Sequence, residues 1–312
     1  MQTPRAVAAL DCGTNSTRLL IVDSSGTVLA REMRITRLGQ GVDATQRLAP
    51  EAIARTVSAL EAYRLIMDAT GVERSRLVAT SAARDAENGD EFLAQAAAAV
   101  GAKAELLSGT EEGELSYAGA TAGLDPSEGD DVVLDIGGGS TELIVSRDQH
   151  IGAYSTQLGC VRLSERYLRH DPPTADEVAD LVKAVAAELD KAFAAVPALD
   201  ALRPGSRLIG LAGTVSTLTM LNQALSTYDR ARVHHSVMTL DDVQRWCDVL
   251  ASEPAADRRL RPGMVEGRQD VIVGGALILR ETMQRLGLVD CLVSESDILD
   301  GLVASMTGAE AN

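Results

Sequence analysis

The chain has 312 residues, with 45 acidic against 29 basic side chains and a formal net charge of −16 at pH 7. At about 150 residues per domain that length suggests two domains, and 46% apolar with 24% charged residues is a globular balance rather than a disordered one. A surface this acidic repels DNA, RNA and anionic membranes, and 3% aromatics leaves no stacking platform for single strands.

Val7–Leu10 and Thr17–Val22 read as two strands joined by the polar turn Asp11-Cys12-Gly13-Thr14-Asn15-Ser16. Residues 50–70 carry a helical period, opened by Pro50 and Glu51 and stopped at Gly71. Leu77–Thr80 is a short buried strand that enters a helix near Ala82–Asp85, and residues 91–100 form an alanine-rich helix ended by Gly101. Glu111–Ala122 reads as another helix, followed by the acidic loop 125–131. Val132–Ile136 and Glu142–Ser146 are a second pair of strands around Gly137-Gly138-Gly139-Ser140. A long amphipathic helix follows at 174–195, then the strand Arg207–Leu211 running into Gly213-Thr214 and a helix, and a mostly helical tail at 271–285 and 296–306. Strands that pair as hairpins in two places yet alternate with helices overall indicate an α/β fold with mixed sheets.

The sequence contains an internal repeat. Asp11-x-Gly13-x-x-Ser16-Thr17-x-Leu19 recurs as Asp135-x-Gly137-x-x-Ser140-Thr141-x-Leu143, and Arg37-Leu38-Gly39 matches Gln157-Leu158-Gly159 loosely. The strand-to-helix junctions at Ser81-Ala82 and Gly213-Thr214 follow in the same order. A period above 100 residues means a duplicated domain rather than a solenoid. The expected division is 1–128 and 129–295, with the tail helix at 296–312 packing back on the first lobe.

Gly-rich turns between strands present backbone N–H groups to an anion, and Ser or Thr hydroxyls add donors for phosphate oxygens. Gly13, Thr14, Asn15 and Ser16 in one copy, and Gly137, Gly138, Gly139, Ser140 and Thr141 in the other, are the candidates. Ordinary hairpins needing φ > 0 are the alternative. After Ser-Thr the copies diverge. Arg18 in the first suits a bidentate grip on phosphate, and Glu142 in the second, across the turn from Asp135, suits Mg²⁺.

Thr80-Ser81-Ala82-Ala83-Arg84 runs into a helix N-terminus, where free N–H groups favour an anion, with a salt bridge from Arg84 to Asp85 or Glu87 as the alternative. Gly213 and Thr214 make the uncharged counterpart, a backbone phosphate contact or a cap. In Ser108-Gly109-Thr110-Glu111-Glu112-Gly113-Glu114, helix capping explains the acids, and residue chemistry alone does not single one out.

Other devices are excluded. No Gly-Lys dipeptide occurs, so a Walker A loop is absent. No G-x-S-x-G elbow occurs either. His170-Asp171 lacks the further spaced histidines of a metal site and reads as a polar loop. Cys12, Cys160, Cys247 and Cys291 are far apart, against a zinc site or disulfide framework. With neither a signal peptide nor a long apolar run, the expectation is a soluble protein of a reducing cytoplasm.

At Asp11-Cys-Gly-Thr-Asn-Ser-Thr-Arg18, Thr80-Ser-Ala-Ala-Arg-Asp-Ala86, Ser108-Gly-Thr-Glu-Glu112 and Asp135-Ile-Gly-Gly-Gly-Ser-Thr-Glu142 the chain resembles the exopolyphosphatase / guanosine pentaphosphate phosphohydrolase family, within the actin–Hsp70–hexokinase superfamily. Leu158–Leu163, Ala212–Thr214 and Gly267–Ile272 extend the resemblance along nearly the whole chain. It implies two ribonuclease-H-like (actin-like ATPase) lobes of mixed β-sheet flanked by helices, with the active site in the interlobe cleft. It implies hydrolytic release of terminal orthophosphate from inorganic polyphosphate, with Mg²⁺ or Mn²⁺ in its place, and a homodimer. The family's catalytic base aligns with Glu112, its metal carboxylates with Asp135 and Glu142, its phosphate loops with Gly13–Ser16 and Gly137–Thr141, and its phosphate-binding arginine with Arg84. Arg18 and Arg268 are further candidates for contacts to the chain. Longer members carry a C-terminal HD-type domain for which 312 residues leave no room, so shorter chains are the expected preference. Cys12 replaces a customary Leu or Ile. The alternatives are hydrolysis of the 5′-phosphate of pppGpp or of nucleoside triphosphates, with (p)ppGpp or a nucleotide as ligand. A sugar-kinase-like or actin-like protein would need an adenosine pocket, for which Gly213 lacks a neighbouring glycine.

Overall fold

The computed structural model describes residues 6–148 and 150–308; the ends of the expected first lobe and tail helix, 1–5 and 309–312, lie outside the described residues. Strand β1 (Ala6–Cys12) and β2 (Ser16–Asp23) are apolar on both faces, since helices cover the sheet on each side. They pair antiparallel, followed by β3 (Val28–Ile35) at the edge, while β4 (Val72–Ala79) and β5 (Ala104–Leu106) add parallel on the other side of β1. The order is β3-β2-β1-β4-β5.

The second sheet contains β6 (Asp131–Ile136), β7 (Thr141–Arg147), β8 (His150–Thr156), β9 (Arg207–Leu211), β10 (Val237–Thr239) and β11 (Asp290–Val293), in the order β10-β11-β9-β6-β7-β8. Read as β8-β7-β6-β9-β11, it reproduces the first sheet strand for strand, including which pairs are parallel. The repeat in the sequence is therefore a repeat of topology.

The chain divides into two compact units, one running to Gly123 and resuming at Asp297, the other Leu124–Ser296. In the first, alternation sends Leu10 and Leu19 to the face covered by helices Pro50–Ala69 and Gly89–Val100, with Tyr63 and Phe92 fully buried there. Ala9 and Leu20 face the opposite way, onto Leu299 and Leu302 of the tail helix Ile298–Thr307, which also packs against helix Gly109–Thr121. In the second unit, Leu134 and Leu143 meet Leu181, Val185 and Phe193 of helix Ala175–Ala195, and Leu277 of helix Ile272–Leu286.

The sequence reading does not reach β3 or β8. Val28–Ile35 is largely exposed at a sheet edge and carries charges at Arg31, Glu32 and Arg34, so neither alternation nor an apolar run marks it. β8 is another edge strand, partly exposed along most of its length.

Candidate functional site

The two turns have the same construction. The Gly13 amide donates to Ser16 O at 3.0 Å, and the Gly137 amide to Ser140 O at 3.0 Å. Behind each turn the chain returns and takes up its carbonyls. Thr14 O accepts from the Gly39 amide (2.9 Å) and Asn15 O from those of Thr36 (3.1 Å) and Arg37 (3.0 Å). In the second copy Gly137 O accepts from Cys160 N (3.0 Å) and Gly138 O from Val161 N (2.9 Å) and Arg162 N (3.1 Å), while Arg162 Nε donates to Gly139 O at 2.7 Å. The carbonyls are thus directed to the rear.

The loose match of Gly39 with Gly159 acquires a physical reason here. A Cβ on Gly159 would lie 2.1 Å from Gly138 O, and one on Gly39 would lie 2.3 Å from Thr14 Cγ2. Only glycine lets the returning backbone come so close. Gly39, Gly159 and Arg162 are supports of the turns that sequence reasoning did not name as site residues; the repeat was the available signal.

In the first unit, Thr14 Oγ1 and Ser81 Oγ share a hydrogen bond of 2.9 Å, which ties the turn to the strand-to-helix junction after β4. Asn15 is buried, and its Nδ2 has no hydrogen-bond partner among the described residues; such a donor is costly unless an acceptor arrives. Asp11 is buried as well, with Oδ1 in the same condition. Burial pushes the Asp11 carboxyl above its ordinary value, against the opposing pull of Arg18. Arg18 stands opposite Asp11 in the register and grips Asp11 Oδ2 through Nε (3.0 Å) and Nη2 (2.7 Å), while Nη1 donates to Asp297. The guanidinium offered by the sequence as a phosphate clamp is therefore engaged by two carboxylates.

Helix Gly109–Thr121 separates its acids by role. Ser108 and Glu111 form a reciprocal capping box, with the Ser108 amide donating to Glu111 Oε2 at 2.8 Å. Glu112, one position on, turns inward to 9% exposure, and Arg84 Nη1 reaches its Oε2 at 3.3 Å while also donating to Leu107 O at 2.8 Å. Arg84 thus pairs with Glu112, whereas Glu87 pairs with Arg47. Nε and Nη2 of Arg84 make no hydrogen bond or ion pair among the described residues.

In the second unit Asp135 and Glu142 are direct cross-strand partners, so they share one face of the hairpin. Both are buried, at 8% and 1% exposure, and Ser155 Oγ donates to Glu142 Oε1 at 2.7 Å. Like charges opposite one another in a buried hairpin repel, which suits a shared cation. Among the described residues no group of three His, Cys, Asp or Glu gathers, so the protein supplies a pair rather than a cage. That matches Mg²⁺, which commonly takes one or two carboxylates with water and phosphate oxygens.

The Thr141 hydroxyl donates to Leu158 O, behind the turn. After β9 the chain enters helix Ala212–Asn222 through Ala212 at φ 64°, a left-handed conformation that costs an alanine about 1 kcal/mol. Arg268, 8% exposed, covers Gly213 so closely that a Cβ there would lie 1.8 Å from Nη1. Thr214 is buried beside Cys160, whose thiol is pushed up by burial and pulled back by Arg268 and Thr214. Gly213, Thr214 and Arg268 form one cluster. His170 is occupied by Glu177 and Asp171 by Arg258.

A family model described as the Ppx/GppA phosphatase family matches residues 20–310. The chain is 45% identical to Exopolyphosphatase 2 of Mycobacterium tuberculosis over 97% of this chain and 98% of that one. It is 27% identical to the guanosine-5'-triphosphate,3'-diphosphate pyrophosphatase of Pseudoalteromonas atlantica over 96% of this chain and 58% of the relative. A crystal structure of an exopolyphosphatase-like protein superposes with a TM-score of 0.91 at 34% identity, covering 97% of this chain and 99% of the other. Fold, motifs and likeness along the full length agree: the chain belongs to the Ppx/GppA phosphatase family.

Proposed function

We propose that the chain is an exopolyphosphatase that hydrolyses the terminal phosphoanhydride of inorganic polyphosphate, favours shorter chains and uses Mg²⁺, with Mn²⁺ able to replace it. The observation that carries the reading is the division of labour among the carboxylates. Asp135 and Glu142 face each other on one hairpin, and Glu112 alone of its helix-start acids is turned inward beside an arginine.

In this reading the amides of Gly13–Ser16 with the Ser16 hydroxyl, and those of Gly137–Ser140 with the Ser140 hydroxyl, are the phosphate-binding groups of their respective units, with Thr14 fixed to Ser81 as a support. Arg84 offers its remaining N–H groups to the terminal phosphate. Glu112 accepts a proton from the attacking water as its oxygen bonds to phosphorus. The bridging P–O bond breaks, and the shortened chain leaves with the electron pair. Asp135 and Glu142 would hold Mg²⁺, which when bound neutralises charge on the phosphate oxygens. Gly213, Thr214 and Arg268 would contact the rest of the substrate. Phosphoryl transfer asks mainly for positioning and charge neutralisation, so local arginines and amides suffice in a chain of net charge −16.

A second reading, hydrolysis of the 5′-phosphate of pppGpp or of a nucleoside triphosphate, is favoured by the likeness to the Pseudoalteromonas enzyme. It shares the phosphate cradle and differs in what binds beyond it. The enzyme is read as a cytoplasmic homodimer; among the described residues no helix is long and apolar enough to cross a membrane. Orthophosphate release with Mg²⁺ from short polyphosphate, long polyphosphate, pppGpp and ATP in parallel tests the reading. Release from the polyphosphates supports it, and release confined to pppGpp or ATP replaces it with the second.

A further inference from the structure

A pocket of about 460 Å³ opens in the first unit between the end of β3, at Arg34–Thr36, and the first turns of helix Pro50–Ala69, at Ala54–Ala59. It adjoins the first turn. Ile35 is the register partner of Ser16 and Arg34 of Thr17, so its wall stands one strand spacing, about 5 Å, from the turn. Thr36, also in the wall, bonds through its amide to Asn15 O (3.1 Å) and through its hydroxyl to Thr17 Oγ1 (2.8 Å).

Two arginines converge on this space. Arg55 is anchored by Nε to Thr36 O at 2.9 Å, and Arg34 lies with Cζ 5.6 Å from the centroid of the Tyr63 ring. Neither has a carboxylate partner among the described residues, whereas Arg18, Arg31, Arg64 and Arg76 of the same unit are all ion-paired. In so acidic a chain, leaving two guanidinium groups unpaired beside one cavity is a charge arrangement that suits an anion. The lining contains no carboxylate to read a base edge, and Tyr63 is buried beneath Arg34. It is suited to phosphates rather than to a nucleoside.

We propose that this pocket is a second anion subsite, behind the first turn, taking phosphates of a long polyphosphate chain that tripolyphosphate is too short to reach. The inference rests on the function proposed above and adds a place where chain length is felt.

The test compares wild type, Arg34→Gln and the double variant Arg34→Gln/Arg55→Gln on tripolyphosphate and on long-chain polyphosphate. The ratio of kcat/KM for the long chain to that for tripolyphosphate is expected to fall about threefold in the single variant and about tenfold in the double. The difference should shrink at high salt. Arg34→Gln removes no hydrogen bond to the backbone, so it keeps the test valid should Arg55→Gln disturb Thr36. An unchanged ratio in an active enzyme overturns the subsite. Equilibrium binding of long-chain polyphosphate, with Glu112→Gln present to stop turnover, separates the two claims. If wild type releases no orthophosphate, the reaction fails, and the subsite stands only if Arg34→Gln still weakens binding about threefold. Equal binding overturns it.

Discussion

Arg84 Nη1 lies 3.3 Å from Glu112 Oε2, joining two short-range motifs of the sequence, a strand-to-helix junction and a helix start, in one ion pair. The pair is partly buried, with side-chain exposures of 25% and 12%. On the proposed function Arg84 acts in two ways, holding the carboxylate and presenting its remaining donors to phosphate. Arg84→Lys keeps the charge but loses the fork, and is expected to lower kcat/KM about tenfold. Arg84→Ala should lower it about a hundredfold, the scale of losing one donor to a developing charge. Equal losses in the two variants would assign Arg84 to its fork geometry alone, and full activity in Arg84→Lys would assign it to charge alone.

Gly159 supports the second turn through a contact that no other residue permits. Gly159→Ala must push Gly138 away, since its Cβ would lie 2.1 Å from Gly138 O. Overpacking of this kind costs about 2 kcal/mol, and the displaced turn should lose activity beyond the loss of stability. Thermal unfolding and kcat measured below the transition check this. Wild-type melting with full activity would contradict the packing.

Much of this was legible in the sequence because it is local. Both turns, their repeat, strands β1, β2, β6 and β7, and helix Pro50–Ala69 follow from Gly and Ser/Thr placement, apolar runs and helix punctuation. The ranking of Glu111, Glu112 and Glu114 was not legible from residue chemistry. All three suit a helix start, and only the capping box and the position of Arg84, 28 residues earlier, separate them. Alignment to the family singled out Glu112, and the structure adds its burial. The engagement of Arg18 by Asp297, 279 residues away, is the opposite case: nothing near Arg18 in sequence announces it.

That long-range contact carries a prediction of its own. Asp297 caps the tail helix through Leu299 N at 2.9 Å while accepting from Arg18, which also holds buried Asp11. Arg18→Met should leave two largely buried carboxylates uncompensated, at a cost of about 3 kcal/mol. Urea unfolding measures it. A change below about 0.5 kcal/mol, with KM for polyphosphate sharply raised, would instead return Arg18 to the substrate.

Asp130 sets a pH dependence in the second unit. Its buried carboxylate accepts from Arg147 foremost, then from the Arg203 amide and guanidinium, which together hold it down at about 2 against burial. A carboxyl lower in the folded than in the unfolded chain contributes stability that is complete above the unfolded value of 3.8 and is lost as pH falls toward about 2. Asp130→Asn should therefore cost about 2 kcal/mol at neutral pH, and the gap to wild type should close across that acid window. A gap that stays constant with pH would mean the loss is one of packing.

The central proposal is that Glu112 takes the proton from the water attacking a terminal phosphate, with phosphate bound by the turns and Mg²⁺ held by the Asp135–Glu142 pair. Its most direct test is Mg²⁺-dependent orthophosphate release from polyphosphate by wild type and Glu112→Gln, with thermal unfolding of both. The account predicts steady release by wild type, a loss of about a thousandfold in kcat for the variant, and matching unfolding curves, since Glu111 rather than Glu112 makes the cap. Wild-type turnover by Glu112→Gln would contradict it.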